Sequence, residues 1–211
     1  MMAPEMAGKL NRIRRFALVL ALACLPALSG CYVPVRFDAE IEISRSGYYD
    51  MIFDGYVARA ALYREVRDRK IDSREEREKA NAVIADFKRD SATQEADYVR
   101  QGIFKVHWRK SGDLLRARMV AFFRRNENLL SIKYVKETGR ITMAGATISP
   151  SNAQRIIDAG LNITGQLRVI TDAAVARHNA GRVINRGAKQ VYVWDVKSAL
   201  DPPPTLIIPL R

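Results

Sequence analysis

Residues 37–43 read Phe-Asp-Ala-Glu-Ile-Glu-Ile, and in this stretch apolar side chains alternate strictly with charged ones. Such alternation is typical of a strand with one buried face, because successive side chains of a strand point to opposite sides of the sheet. Gly47 interrupts the pattern, and residues 48–57 resemble a second strand. The two runs predict a β-hairpin.

A second alternation predicts another hairpin in the middle of the chain. Residues 104–109 and 115–124 each place apolar side chains at every other position, and Ser111-Gly112 lies between them. A two-residue turn there would pair Trp108 with Leu115 and make one face of the hairpin wholly apolar. The opposite face would then be basic.

The segment 59–90 predicts two helices. Residues 60–70 form the first helical run, and Ser73 with Glu76 fits a capping box at the start of the second. Further predicted elements are a hairpin over residues 129–146, a short helix from Ser151, and strands over residues 162–171, 190–196 and 205–210.

These elements predict an α+β fold. Strands mostly follow strands through short turns, which favours antiparallel pairing. We expect a mostly antiparallel curved sheet of about seven to nine strands, with two or three helices packed on it. Residues 31–211 would form a single soluble domain, with a helical insertion at about residues 59–90.

The first thirty residues predict a signal peptide. Residues 9–15 carry four basic side chains, residues 16–27 are uncharged, and Leu28-Ser29-Gly30-Cys31 follows. The uncharged stretch is shorter than the roughly 20 residues that span a bilayer. The tetrapeptide resembles the lipobox of bacterial lipoproteins, which implies that residues 1–30 are removed and that Cys31 is acylated, for example with palmitate.

That resemblance also implies a location. Acyl chains on Cys31 would tether the domain to the cell envelope, since two or more chains give a stable membrane anchor. Tyr32 follows Cys31, where an Asp would resemble an inner-membrane retention signal in Gram-negative bacteria. We therefore expect the outer membrane, facing the periplasm, if the organism is Gram-negative.

The composition argues against a metal centre, a cofactor and a disulfide framework. The chain has two cysteines and two histidines, and Cys24 lies in the segment that would be removed. The glycines match neither phosphate-binding loop pattern. We expect no metal and no cofactor.

No catalytic motif stands out. His107 lies among basic residues on a predicted strand face, and His178 lies in a predicted loop. Neither has a nucleophile motif beside it. Asp38, Glu40 and Glu42 share one strand face, where a hydrolytic carboxylate pair is a remote alternative to a solvated edge. We expect a protein that is not an enzyme.

The positive charge is concentrated in one segment. The formal net charge is +12, and residues 100–140 hold eleven basic and three acidic side chains. A local field of this kind attracts anionic partners, although a generic cationic exterior is the alternative interpretation. The candidate binding stripe on the predicted hairpin is Lys105, Arg109, Arg116, Arg118 and Arg124, with Arg125, Lys133 and Lys136 as extensions.

Two functional hypotheses follow. The first is a non-enzymatic, lipid-anchored envelope protein whose basic sheet face binds an envelope lipid, a glycolipid or an anionic membrane surface. The second is a structural or assembly subunit of an envelope protein complex that docks through the charged helical segment 59–90. Export argues against nucleic acid as the partner, and the stripe lacks the interleaved aromatic side chains of a stacking platform.

Two stretches resemble the LppM-type envelope lipoproteins of mycobacteria. One is residues 35–43 shortly after the lipobox cysteine, and the other is His178-Asn179-Ala180 followed by residues 191–196, with Trp194 in a strand. The resemblance implies an α+β, surface-tethered protein linked to envelope lipid or glycolipid binding. The chain departs from that family because it lacks a C-terminal transmembrane helix and carries the 59–90 segment.

Overall fold

The computed structural model of the protein describes residues 32–122 and 129–210. The predicted signal peptide, Cys31 and Arg124 therefore lie outside the described residues. Over the described part the chain forms twelve strands and four helices, and the strands make two open sheets of seven and five strands.

The strands are β1 (Tyr32–Ile43), β2 (Tyr48–Arg59), β3 (Thr93–Arg100), β4 (Ile103–Asp113), β5 (Met119–Ala121), β6 (Leu130–Val135), β7 (Arg140–Gly145), β8 (Thr164–Thr171), β9 (Arg177–His178), β10 (Arg182–Arg186), β11 (Lys189–Val196) and β12 (Thr205–Pro209). The helices are α1 (Ala60–Arg67), α2 (Ser73–Lys88), α3 (Leu114–Ala117) and α4 (Pro150–Asp158).

The seven-stranded sheet has the order β10-β11-β8-β1-β2-β4-β3. The predicted hairpin of β1 and β2 is confirmed, and Gly47 sits in its turn with φ +87°. The pair β1–β8 is parallel, whereas the other pairs of this sheet are antiparallel. A parallel pair needs a long crossover, and here the rest of the chain between residues 43 and 164 supplies it.

The five-stranded sheet has the order β5-β6-β7-β12-β9. The predicted hairpin of β6 and β7 is confirmed, with Gly139 at φ +59° in the turn. Strand β9 contains His178, which the sequence placed in a loop.

One hydrophobic core joins the inner faces of the two sheets. Trp108, Phe104 and Met51 come from the seven-stranded sheet and are fully buried. Ile132, Ile141, Met143, Leu206 and Ile208 come from the five-stranded sheet and belong to the same cluster. The expected single curved sheet was therefore wrong, because the second set of strands pairs separately and packs face to face with the first.

The predicted hairpin around residues 111–112 was also wrong. Strand β4 continues through Gly112 to Asp113 and pairs along its length with β2, so that Trp108 lies opposite Phe53 rather than Leu115. The strand stops because Asp113 caps α3: its Oδ1 accepts a hydrogen bond from the Leu115 backbone N–H at 2.8 Å.

The segment 59–90 is helical as predicted, with one correction at the cap. Asp72, not Ser73, is the N-cap of α2, since Asp72 Oδ1 accepts hydrogen bonds at 2.8 Å from two backbone N–H groups of the first turn. The buried side chains of α2 are Ala80 and Phe87, and Phe87 packs 5.0 Å from the Tyr32 ring.

None of the helices in residues 32–122 and 129–210 has the length and apolar character needed to cross a bilayer.

Candidate functional site

Lys105 and Arg109 lie on the outer face of the seven-stranded sheet, where acidic side chains accompany them. Arg109 Nη2 lies 2.7 Å from Asp50 Oδ2 on β2, and this contact raises the pKa of Arg109. In the register of β3 and β4, Lys105 lies opposite Asp97. These cations therefore belong to a face of mixed charge.

His107 occupies the same face, between Lys105 and Arg109. Its Nδ1 lies 3.3 Å from Asp54 Oδ2, across the β2–β4 pair. In the described residues no group of three or more His, Cys, Asp or Glu side chains is placed to hold a metal ion.

The acidic side chains of β1 are engaged by cations from neighbouring strands. Arg168 on β8 contacts Asp38, with Nη1 3.0 Å from Oδ2, and its Nε lies 3.1 Å from Glu40 Oε2. The bonds to Asp38 and then to Glu40 raise the pKa of Arg168. Lys189 pairs with Glu42. Each of these three carboxylates therefore accepts a hydrogen bond from a cation of a neighbouring strand.

Arg116 and Arg118 lie elsewhere in the fold. Both are exposed, Arg116 on α3 and Arg118 between α3 and the edge strand β5 of the five-stranded sheet. The Arg118 guanidinium lies 5.3 Å from the centroid of the Tyr134 ring, a cation–π contact. The structure therefore separates Arg116 and Arg118 from Lys105 and Arg109, because β4 does not turn back at Gly112.

The outer face of the five-stranded sheet has a single sign of charge. None of its five strands contains an Asp or a Glu. The register places Met119, Lys133, Thr142, Ile207 and Arg177 in one row across all five strands, and Arg140 in the next row along β7. We call Lys133, Arg140, Arg177, Met119 and Ile207 the cationic face.

The cations of this face are available to an external partner. Lys133, Arg140 and Arg177 are exposed and form no ion pair with any residue in the described part of the chain. Met119 and Ile207 are half-buried between them. Free cations around apolar side chains form a surface that complements an anionic lipid interface.

Sequence reasoning identified Lys133 as an extension of the stripe but missed Arg140 and Arg177. The available signal was the absence of acidic residues from residues 129–135, 140–146 and 205–210. Arg177 could not be found in this way, because the two-residue strand β9 has no recognisable periodicity.

The alternative docking surface, the segment 59–90, balances most of its own charge. Lys79 Nζ lies 2.8 Å from Glu65 Oε2 and 3.0 Å from Glu75 Oε1, which joins α1 to α2. The hydrogen bonds to Glu65 and Glu75 raise the pKa of Lys79. Docking through this segment stays a prediction.

Comparisons with known proteins find distant structural likenesses, of which two are described. No protein-family model matches the chain, and no curated protein matches its sequence. The chain is similar to the solved folded domain of LppM from Mycobacterium tuberculosis, with a TM-score of 0.48 and 12% identity over 88% of this chain and 94% of that chain. It is also similar to an M1 zinc metallopeptidase from Deinococcus radiodurans, with a TM-score of 0.35 and 10% identity over 87% of this chain and 44% of that chain. Neither likeness assigns a function.

Proposed function

We propose that this protein is a non-enzymatic, lipid-anchored component of the bacterial cell envelope that contacts an anionic lipid or glycolipid surface through the cationic face. The observation that carries the proposal is the charge of the five-stranded sheet, whose strands contain no Asp or Glu while three exposed cations on the outer face lack ion pairs within the described residues.

The binding free energy of the three cations is large enough to orient the tethered domain on an anionic membrane. Near an anionic membrane surface each Lys or Arg contributes about 1 kcal/mol, so three cations contribute about 3 kcal/mol. The partly exposed Met119 and Ile207 add apolar contact with the lipid interface. Acyl chains on Cys31 would supply the anchor, and the cationic face would fix the orientation of the tethered domain.

The direct test measures vesicle binding by the chain that begins at residue 31 and carries Cys31→Ser, so that neither the predicted signal peptide nor an acyl anchor contributes. Vesicles of phosphatidylglycerol and phosphatidylcholine are compared with phosphatidylcholine alone at low salt. The triple variant Lys133→Glu, Arg140→Glu and Arg177→Glu should bind the anionic vesicles about a hundredfold more weakly.

The matched control changes the net charge equally on the other sheet, with Arg100→Glu, Lys105→Glu and Lys110→Glu. This variant should lose much less affinity, because its three cations lie on β3 and β4, outside the cationic face, and Lys105 lies opposite Asp97. Equal losses in the two triple variants would show that net charge alone governs binding, and the cationic face would have no special role.

A further inference from the structure

Strand β10 is an open edge of the seven-stranded sheet. It pairs with β11 on one side, and all five of its residues are exposed. The opposite edge, β3, is irregular at two positions of its pairing with β4, and α2 packs against it. Bulges and covering helices protect a sheet edge from pairing with other chains, and β10 has neither within residues 32–122 and 129–210.

The register shows which backbone groups of β10 point outward. The β10–β11 hairpin closes through the two-residue turn Gly187-Ala188, with Gly187 at φ +62°, so Arg186 and Lys189 form the first hydrogen-bonded pair. Hydrogen-bonded and non-hydrogen-bonded pairs then alternate along the ladder. The N–H and C=O groups of Val183 and Asn185 therefore face away from β11, toward the open edge.

The side chains of β10 are unusual for a protected edge. Val183 is 44% exposed and Ile184 is 49% exposed. Ile184 lies opposite Val191, which lies opposite Ile170, and both of these are buried on the outer face. An apolar strip thus crosses three strands and ends at an uncovered residue on the edge.

The charges select among strand-like partners. Arg182, Ile184 and Arg186 share one face, because they are two positions apart. Arg186 forms no ion pair with a described residue, and Arg182 Nη2 lies 2.8 Å from Asp195 Oδ2. Antiparallel pairing with a second copy about Ile184 would set Arg182 against Arg186, and like charges directly opposite are unfavourable. Carboxylates at those positions would be favourable.

The position of the apolar residues also argues against a membrane wedge. Val183 and Ile184 lie in the middle of the strand, whereas the tip of the hairpin carries Asn185, Arg186 and Lys189. Insertion of the tip into lipid would bury polar side chains before it buried apolar ones.

We propose that β10 docks an extended segment of a partner protein, which adds to the sheet as an eighth strand. The segment has an apolar residue opposite Ile184 and carboxylates opposite Arg182 and Arg186. Its backbone pairs with the open groups of Val183 and Asn185, so main-chain hydrogen bonds give affinity and the alternate side chains give specificity. This inference is independent of the cationic face.

The test uses the full chain and the labelled peptide Thr-Glu-Thr-Val-Thr-Glu-Thr, with binding followed by fluorescence anisotropy. Asn185→Pro removes one outward N–H and leaves the β11 ladder intact, so it should weaken binding about tenfold. Asn185→Thr keeps that N–H and should bind like the parent chain. Hydrogen exchange at Val183 and Asn185 should slow when the peptide is bound.

A second test reverses the charge of Arg186 and of the peptide, and it does not depend on the folding of the proline variant. Arg186→Glu should bind the glutamate peptide about fivefold more weakly and gain affinity for the same peptide with Lys in place of Glu. Equal binding of the two peptides to the parent chain would overturn the proposal. Self-association of the parent chain that Asn185→Pro abolishes would also overturn it. A third contrary result would be an Asn185→Pro chain that loses vesicle binding but keeps peptide binding.

Discussion

The Arg168 guanidinium forms a bidentate ion pair with the Asp38 carboxylate, with Nη1 3.0 Å from Oδ2 and Nη2 2.5 Å from Oδ1. Asp38 lies on β1 and Arg168 on β8, so the pair joins the two parallel strands that hold distant parts of the chain together. Bidentate arginine–carboxylate pairs are among the stronger ion pairs in proteins.

Loss of this guanidinium should destabilise the fold measurably. Arg168→Met keeps most of the aliphatic stem but leaves Asp38 and Glu40 facing each other without a cation, and we expect a loss of about 1–2 kcal/mol in the free energy of unfolding. Urea denaturation measures it. The control is Arg45→Met, which removes a pair to Asp172 whose arginine side chain is 70% exposed, and it should cost less than about 1 kcal/mol. A smaller loss for Arg168→Met than for Arg45→Met would contradict this prediction.

The free energy of unfolding should fall at alkaline pH because the Tyr98 hydroxyl ionises. Burial, together with its hydrogen bond to Glu76, raises the pKa of the Tyr98 hydroxyl to about 12 from an ordinary value of 10.0. A group whose pKa is raised in the folded state contributes stability that is complete below its unfolded pKa. That contribution is lost as the pH rises from about 10 to about 12.

Denaturation as a function of pH tests the Tyr98 prediction. Tyr98→Phe should flatten the decline of unfolding free energy between about pH 10 and pH 12, because the variant has no hydroxyl to titrate there. Tyr48→Phe, which changes a tyrosine that is 62% exposed, serves as the control. If the unfolding free energy of Tyr98→Phe declined between about pH 10 and pH 12 as steeply as that of the parent chain, the prediction would be wrong.

Two glycines make room for Phe37 in the centre of the sheet. Phe37 pairs with Gly55 on β2 and with Gly165 on β8. A Cβ on Gly165 would lie 2.3 Å from the Phe37 carbonyl oxygen and 2.6 Å from its Cδ1. Since backbone atoms must shift, we expect Gly165→Ala to cost about 2–4 kcal/mol in unfolding free energy.

A third glycine provides the comparison for Gly165→Ala. A Cβ on Gly181 would meet its nearest atom, the Val193 carbonyl oxygen, at 3.8 Å, which is an ordinary contact. Gly181→Ala should therefore change the thermal midpoint little, whereas Gly165→Ala should lower it clearly. Similar midpoints for the two variants would show that the close approach to Phe37 relaxes without cost.

Acylation should depend on a single thiol. In the native host, Cys31→Ser should abolish incorporation of labelled palmitate and prevent removal of residues 1–30, because the tetrapeptide that resembles the lipobox no longer ends in cysteine. Cys24→Ser should leave both properties unchanged, since that residue lies in the segment predicted to be removed. Membrane retention of the Cys31→Ser chain at its mature size would contradict the predicted acylation of Cys31.

Local patterns predicted the elements that form from neighbouring residues. The alternation in residues 37–43 and the turn at Gly139 were sufficient for the β1–β2 and β6–β7 hairpins, because turn chemistry and a one-sided apolar face fix the register. The end of β4 was misplaced for a related reason. Ser111-Gly112 resembles a turn, but the adjacent Asp113 caps a helix, and that competing signal decides the geometry.

Pairings between distant segments could not be predicted. The parallel pair β1–β8 and the union of β6 and β7 with β12 and β9 depend on side-chain packing across the core. The cationic face depends on the same pairings, since Lys133 and Arg177 reach one row only when β12 lies between β7 and β9. The charge of segment 100–140 indicated an anionic partner, but the fold distributes that segment over two sheets.

The parallel pairing of β1 with β8 affects folding during synthesis. Strand β1 emerges early during synthesis, yet one of its two neighbours ends at Thr171. Until that late segment arrives, the flank of β1 that β8 will cover has exposed backbone groups and an apolar inner side, which invites misassociation. Premature termination before residue 164 should therefore yield chains that aggregate or are degraded, because β1 would lack its β8 neighbour.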